Sequence, residues 1–377
     1  MLKQSTIASL QDLIFTANDS KAVVRYLVER IEAIVFDSLL CLDFFSLGDL
    51  LKGSILLNAI RTAFPNLEIS IRLSEEYYDE KHILNAFARQ YGTTIARERN
   101  PRNRPIAVFD TQISAYRFRA KEYLAVIPAQ HLTLLQDRGG NSANSRAREI
   151  LGIEPNARVL TIGNYTTTDI GSNDLEHITD PKIRGDFIKT HYARHISKGT
   201  LERLIKTAIA EDLFDHIILV PRNIREDFYD ISALSSLPFL DVINYKSRRS
   251  LPARVHLLAA KGVLRGAYAA ANVAVVMGHH NVLEPFLSDP TTRTYCFEPP
   301  LAAPNRFLFE CGSRYGLLRS VERFPTGESN RRDFLKNLAT CSFNPDPKGF
   351  EKDQILTDSI EETASYLANA LTIHSAS

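Results

Sequence analysis

Long apolar runs are missing from this chain. No segment approaches the roughly 18 consecutive apolar residues of a membrane-spanning helix, and the opening stretch MLKQSTIASLQDLIF lacks the continuous apolar core of a secretory signal. Charge of one sign is missing as well. The formal net charge is +1, whereas a general nucleic-acid-binding domain is strongly basic. The four cysteines, Cys41, Cys296, Cys311 and Cys341, include no C-x-x-C pair, so neither a zinc knuckle nor a disulfide framework is indicated. Thiols scattered in this way read as small core residues of a reducing compartment. The expectation is a cytoplasmic protein with no transmembrane segment and no nucleic-acid partner. H-E-x-x-H is absent, as is a G-x-G-x-x-G following a strand, which argues against a zinc hydrolase and a plain NAD-dependent oxidoreductase. Short-period repeats and low-complexity segments are also lacking.

What is present is material for two cores. The 377 residues exceed the usual span of one domain, roughly 100–200 residues, and 44% hydrophobic with 24% charged residues is an ordinary globular composition. Apolar runs alternate with amphipathic stretches. The strand candidates are Ser38–Phe45, Leu67–Leu73, Ile106–Asp110, Tyr123–Pro128, Arg158–Gly163, His216–Val220, Asp241–Tyr245, Val273–Met277 and Thr294–Phe297. Helical patterns include Leu50–Ala63, Glu76–Tyr91, Thr200–Asp212, Pro304–Tyr315 and Asp358–His374. This alternation predicts an α/β protein of doubly wound parallel sheets with helices on both faces. The loop formers Gly139, Gly140, Asn141 and Ser142 put a boundary within residues 136–156. The predicted division is residues 1–150, residues 151–357, and a helix at 358–377 that crosses back to the first domain. Residues 22–36 have helical apolar spacing. They pack on their own domain or rest on a membrane surface, and the first is the expectation.

Parallel sheets bind ligands at the carboxyl ends of their strands, and three places fit. In SLGDLLKGSILLNAIRTAFPNLEISI, residues 46–71, an apolar strand ends at Ser46, and Gly48 and Asp49 open a long helix. A carboxylate in that first turn is stabilised by the helix N-terminus and can take a proton from a bound hydroxyl; the plainer reading is a capping carboxylate. Asp43, inside the same strand, is a second acid whose alternation turns it to polar surroundings. In HIILVPRNIREDF, residues 216–228, the strand runs into Pro221, Arg222 and Asn223. A guanidinium there suits a phosphate or carboxylate, and it equally suits Glu226 or Asp227. In LRGAYAAANVAVVMGHHNVLEP, residues 264–285, a buried strand stops at Gly278, and His279, His280 and Asn281 lead into a helix carrying Glu284. Gly278 permits close backbone approach, Asn281 stands at the expected N-cap, and Glu284 suits a sugar diol. Adjacent histidines rarely converge on one ion, so no metal is assigned; a turn without a ligand is the plain alternative. The basic runs at residues 97–104 (RERNPRNR) and 246–249 (KSRR) read as solvated loops or as a greeting for an anionic acceptor.

The run Tyr268–Ala274 followed by Gly278, His280, Asn281, Leu283, Glu284 and Pro285 resembles the donor-side signature of bacterial 3-deoxy-D-manno-octulosonic acid (Kdo) transferases, with Asn272 where that family has aspartate. Val220-Pro221-Arg222 is similar to the family's Val-Pro-Arg element, with Asn223 in place of its histidine. Ser46, Gly48 and Asp49 resemble the acceptor-side segment of the same superfamily and, with aspartate at that place, the heptosyltransferases. The resemblance covers residues 45–71 and 159–300.

It implies the GT-B fold, two Rossmann-like domains facing across a cleft, and an inverting, metal-independent glycosyltransferase of bacterial type. Asp49 is then the catalytic base. Arg222, Gly278, His280, Asn281 and Glu284 bind the donor, and Ser46, Gly48, Asn223 and His279 are secondary candidates. No cofactor is implied beyond the nucleotide-sugar co-substrate; a CMP-sugar is favoured and an ADP-heptose stands as the alternative. The acceptor is a glycan, a lipid-linked sugar or a small molecule, and peripheral membrane contact is compatible with it. A sugar-nucleotide epimerase on the same scaffold and a binding protein without chemistry remain as other readings.

Overall fold

The computed structural model describes residues 4–13, 21–34, 39–44, 46–74, 77–98, 105–109, 123–128, 130–136, 142–167, 175–176, 179–192, 194–221, 240–243, 255–258, 262–277, 282–297, 303–321 and 327–376. The chain divides into two units. One comprises residues 17–137 and 351–377, the other residues 1–16 and 138–350.

The first of these units is built on five parallel strands: β1 (Leu40–Phe44), β2 (Ile69–Arg72), β3 (Thr94–Ile95), β4 (Ile106–Phe109) and β5 (Ala125–Pro128). Their order is β3-β2-β1-β4-β5, with Leu40 opposite Ile69 and Leu42 opposite Ile106. β1 is central, and its apolar side chains Leu40, Leu42 and Phe44 are buried, as a strand with neighbours on both sides requires. The helix Leu47–Ala63 follows β1 and buries Leu50, Ile55, Leu56, Leu57, Ala59 and Ile60. It can be apolar on several faces because other helices cover it: Lys21–Ile31, Lys81–Tyr91 and Gln130–Leu134 all pack against it. The last helix, Gln354–Ser375, belongs to this unit and lies on the Lys21–Ile31 helix, the Gln130–Leu134 helix and β5, with Leu367, Ala370 and Leu371 buried.

The other unit holds seven parallel strands: β6 (Val159–Tyr165), β7 (His216–Pro221), β8 (Leu240–Ile243), β9 (Val255–Leu258), β10 (Val273–Met277), β11 (Arg293–Phe297) and β12 (Leu318–Val321), in the order β12-β11-β10-β6-β7-β9-β8. β7 and β10 are buried at every residue. Leu160, Ile162, Ile217, Leu219, Val273 and Val275 meet the helices Lys198–Ala210 and Glu328–Thr340 in one cluster. On the opposite face Val159, Ile218 and Val220 meet a second cluster formed with Ala147, Leu151, Ala267 and Ala270. The chain's first helix, Gln4–Asp12, joins this second cluster through Ile7 and Leu10, followed by Leu13. Each such side chain contributes about 1.5–3 kcal/mol on burial. Gly266 makes the approach possible, since a Cβ there would stand 3.0 Å from a Leu10 methyl. Residues 1–16 and 138–150 are thus found with the seven-stranded sheet, where residues 1–150 were expected to form one domain. No helix among the described residues is long and apolar enough to cross a membrane.

At the amino ends of β7 and β9, His216 Nδ1 lies 2.9 Å from His256 Nε2, and His216 Nε2 lies 3.0 Å from Glu154 Oε2. Burial, then the neighbouring His216, push the His256 pKa down to about 4. The folded protein therefore keeps His256 neutral at pH values where an unfolded histidine is charged. This contribution to stability is complete above about pH 6.5 and is lost as pH falls toward 4. At about 1.4 kcal/mol per pH unit the full effect is about 3 kcal/mol. Urea unfolding from pH 7 to 4 should show this decline, and His256→Gln should flatten it; an equally steep decline in that variant would assign the acid lability elsewhere.

Candidate functional site

In each unit the sheet has a central place where the crossovers of two neighbouring strands leave in opposite directions. In the five-stranded sheet it lies between β1 and β4, and in the seven-stranded sheet between β6 and β10. Such switch points open a crevice at the carboxyl ends of the strands, where α/β sheets bind ligands.

At the first of them Ser46, Gly48 and Asp49 stand together at the start of the Leu47–Ala63 helix. Ser46 is the N-cap, with extended φ −136° and ψ 166°. Asp49 N–H donates to Ser46 Oγ at 3.2 Å, and Asp49 Oδ2 accepts from Ser46 N–H at 3.1 Å and from Ser46 O–H at 2.9 Å. This is a reciprocal capping box, and Ser-Leu-Gly-Asp carries its S-x-x-D spacing. Asp49 is 2% exposed. Its carboxylate is therefore fixed in one rotamer at the end of β1. Asp43 has a different place. The Arg72 guanidinium grips both of its oxygens, Nε to Oδ1 at 3.1 Å and Nη2 to Oδ2. The polar surroundings expected for Asp43 include this arginine on the neighbouring strand, and the pair joins β1 to β2.

At the second switch point Glu284 opens the helix Glu284–Ser288. Leu283 occupies the cap position that the sequence suggests for Asn281, and Pro285 stands in the first turn, where its missing N–H is no loss. Glu284 Oε1 accepts from Arg265 Nε at 2.8 Å. Arg265 comes from the helix Leu264–Ala269, which leads into β10. Beside this pair the Tyr268 hydroxyl is fully buried with no hydrogen-bond partner. Burial, then the charges of Glu284 and Cys296, raise its pKa well above the usual phenol value. Tyr268 crosses over Gly163 near the carboxyl end of β6. A Cβ on Gly163 would lie 2.3 Å from the hydroxyl oxygen, so a larger residue there would have to displace the Tyr268 ring. The next residue, Asn164, has φ 58°, and the pairing of β6 with β7 shifts register between Gly163 and Tyr165. A left-handed non-glycine residue inside a bulge is a local departure of the kind that collects at functional sites.

Asp49 belongs to one unit and Glu284 to the other. Arg222, Asn223, Gly278, His279, His280 and Asn281 lie outside the described residues, although the strands that lead to them, β7 and β10, are described. Among the described residues no group of three or more His, Cys, Asp or Glu side chains is placed to hold a metal ion. Arg265 was not singled out by sequence pattern. Its signal was a single arginine among the small residues of LRGAYAAA, a charge that needs a partner when it is buried.

No family model matches the chain, and no curated protein matches it. Among solved structures it is similar to the C-terminal CMP-Kdo binding domain of WaaA from Acinetobacter baumannii, with 16% identity over 59% of this chain and 98% of that one and a TM-score of 0.32. It is similar to the ADP-heptose LPS heptosyltransferase II of E. coli, with 10% identity over 88% and 99% of the two chains and a TM-score of 0.42. A glycosyl transferase family 9 protein from Veillonella parvula shares 10% identity over 89% and 99%, with a TM-score of 0.34. Likenesses at TM-scores below 0.5 carry no functional weight, and the candidate site rests on the chain's own residues and their geometry.

Proposed function

We propose that the chain is a nucleotide-sugar-dependent glycosyltransferase of the GT-B kind. The observation that supports this reading most directly is the placement of one acid at the switch point of each of two parallel sheets, Asp49 in one and Glu284 in the other. In this reading the seven-stranded unit holds the donor. Glu284 accepts hydrogen bonds from the nucleotide ribose. Arg222 and the backbone of residues 278–281 meet the phosphate, with His280 shaping the loop. Asp49 takes the proton of the acceptor hydroxyl as that oxygen attacks the anomeric carbon, which inverts the configuration. Fixed donors at the leaving phosphate take the place of a metal ion. The resemblance carried by Tyr268–Pro285 favours a CMP-activated keto-sugar acid over an ADP-heptose.

One observation favours a second reading. Asp49 is buried and occupied by the capping box, which suits a nucleotide-binding protein that performs no transfer. The two readings share the donor site and separate on turnover.

Calorimetric titration with CMP, UDP, GDP and ADP tests the shared part. One nucleotide is expected to bind best. Glu284→Ala is expected to weaken it about 10- to 100-fold, the range of hydrogen bonds to a charged acceptor. Failure of all four to bind the wild-type protein would overturn both readings.

A further inference from the structure

We propose that Arg265 is a positioning residue that aims one edge of the Glu284 carboxylate at the nucleotide ribose and so sets the preference of the site for ribonucleotides; the proposal rests on the donor reading of this site. The arginine binds the carboxylate from one side only. Its Nε donates to Oε1 at 2.8 Å, and Oε2 is bonded to no described residue. The pair is also unequal in exposure: the Arg265 side chain is 4% accessible and that of Glu284 is 14%. The guanidinium thus forms the floor, and the carboxylate is the member that reaches solvent.

The surroundings fix this arrangement. Arg265 and Glu284 are the second and first residues of their helices, so both stand at the carboxyl edge of the sheet beside the switch point. The Leu264–Ala269 helix is itself held in place. Its Ala267 carbonyl accepts from Thr161 Oγ1 at 3.0 Å, and its Ala269 carbonyl accepts from Asn144 Nδ2 at 2.7 Å. Pro285 limits the backbone on the other side. The Tyr268 hydroxyl, which is buried near Glu284 and unpartnered, leaves Arg265 as the group that orients the carboxylate. A diol whose two hydroxyls donate to one carboxylate needs that carboxylate in a fixed plane, and a free glutamate side chain spreads over many rotamers. Without the arginine the acceptor remains in the protein, but not in that plane.

A merely structural ion pair would act on all ligands alike, and this separates the two roles. The ribonucleotide that binds best among CMP, UDP, GDP and ADP is compared with its 2′,3′-dideoxy analogue. The wild-type protein should prefer the ribose form about 10- to 100-fold. Arg265→Gln should reduce that preference to a few-fold, with affinity for the dideoxy analogue unchanged. Arg265→Lys, which keeps the buried charge but not the Nε geometry, should fall between them and serves if Arg265→Gln does not fold. An unchanged preference, or equal loss for both ligands, overturns the positioning role and leaves the donor site standing. If no nucleotide binds the wild-type protein, the donor reading fails and this proposal fails with it.

Discussion

Asp49→Asn should reduce turnover about 10²- to 10⁴-fold while leaving the thermal midpoint within a few degrees of wild type. The size of the first effect is that of a general base removed from its reaction. The second follows from the capping box. Ser46 N–H and Ser46 O–H both donate to one oxygen of Asp49, at 3.1 and 2.9 Å. An asparagine carbonyl oxygen can accept the same two bonds, and the reciprocal bond from the residue 49 N–H to Ser46 Oγ is made by the backbone. Asparagine therefore keeps the cap and removes the basic group. Asp49→Ala differs in both respects: it loses turnover and also about 1 kcal/mol of helix capping. Measuring both variants by steady-state kinetics and by denaturation tests the proposed basic role of this aspartate apart from its capping role. If Asp49→Asn retains wild-type turnover, Asp49 is a cap and nothing more. The acceptor base must then be sought elsewhere, or the protein is a binder.

Most of the strands that are buried on both faces were readable from residue type alone. Val273–Met277 is a strand as expected, and His216–Pro221 and Val159–Tyr165 differ from expectation only at their ends. Two of the missed strands share a physical cause. Thr94–Ile95 and Leu318–Val321 are edge strands, and Arg319 and Ser320 in the latter are exposed; with half their surface in water they need no continuous apolar run. Val255–Leu258 carries His256 where a buried strand normally has an aliphatic residue, and the histidine is tolerated because His216 meets it. The helix Gln4–Asp12 was not among the expected helices, and periodicity would have said only that one face is buried. It does not say against which sheet, and so the place of residues 1–16 was out of reach. At the candidate site the acids were legible because a carboxylate at the end of a strand stands out. The capping partner of Asp49, Ser46, was legible too, but the partner of Glu284 was not. Arg265 lies nineteen positions before Glu284 in sequence, and only the packing of two short helices brings them to 2.8 Å.

Arg148→Met should destabilise the protein by about 2–4 kcal/mol, since several buried acceptors lose a donor at about 1–3 kcal/mol for each left unsatisfied. Arg148 is 3% exposed and lies on the helix Ser142–Leu151. Its Nε donates to the Ala270 carbonyl at 3.1 Å. Its Nη1 donates to the carbonyls of Glu154, Pro155 and Ala157 at 3.3, 2.5 and 3.1 Å, and its Nη2 to Asn272 Oδ1 at 2.9 Å. Burial lowers its pKa, and the charge of Asp289 works against that lowering. Methionine fills much of the volume but removes the guanidinium from these acceptors, all close to the entries of β6 and β10; Asn272 Oδ1 keeps Val159 N–H and Glu154 O keeps Ala157 N–H. The same network accounts for Asn272, which stands where the resembled family has aspartate. Asn272 Oδ1 also accepts from Val159 N–H at 2.8 Å, so its side chain ties β10 to the first residue of β6. An aspartate carboxylate would accept the same two bonds and add an opposite charge beside Arg148. Asn272→Asp should accordingly leave stability unchanged or raise it, and the exchange marks a scaffold position rather than altered chemistry. Chemical denaturation of both variants checks the argument. A loss below about 1 kcal/mol for Arg148→Met would mean that water replaces the guanidinium, and that the two strands flanking the switch point are held by their hydrophobic faces alone.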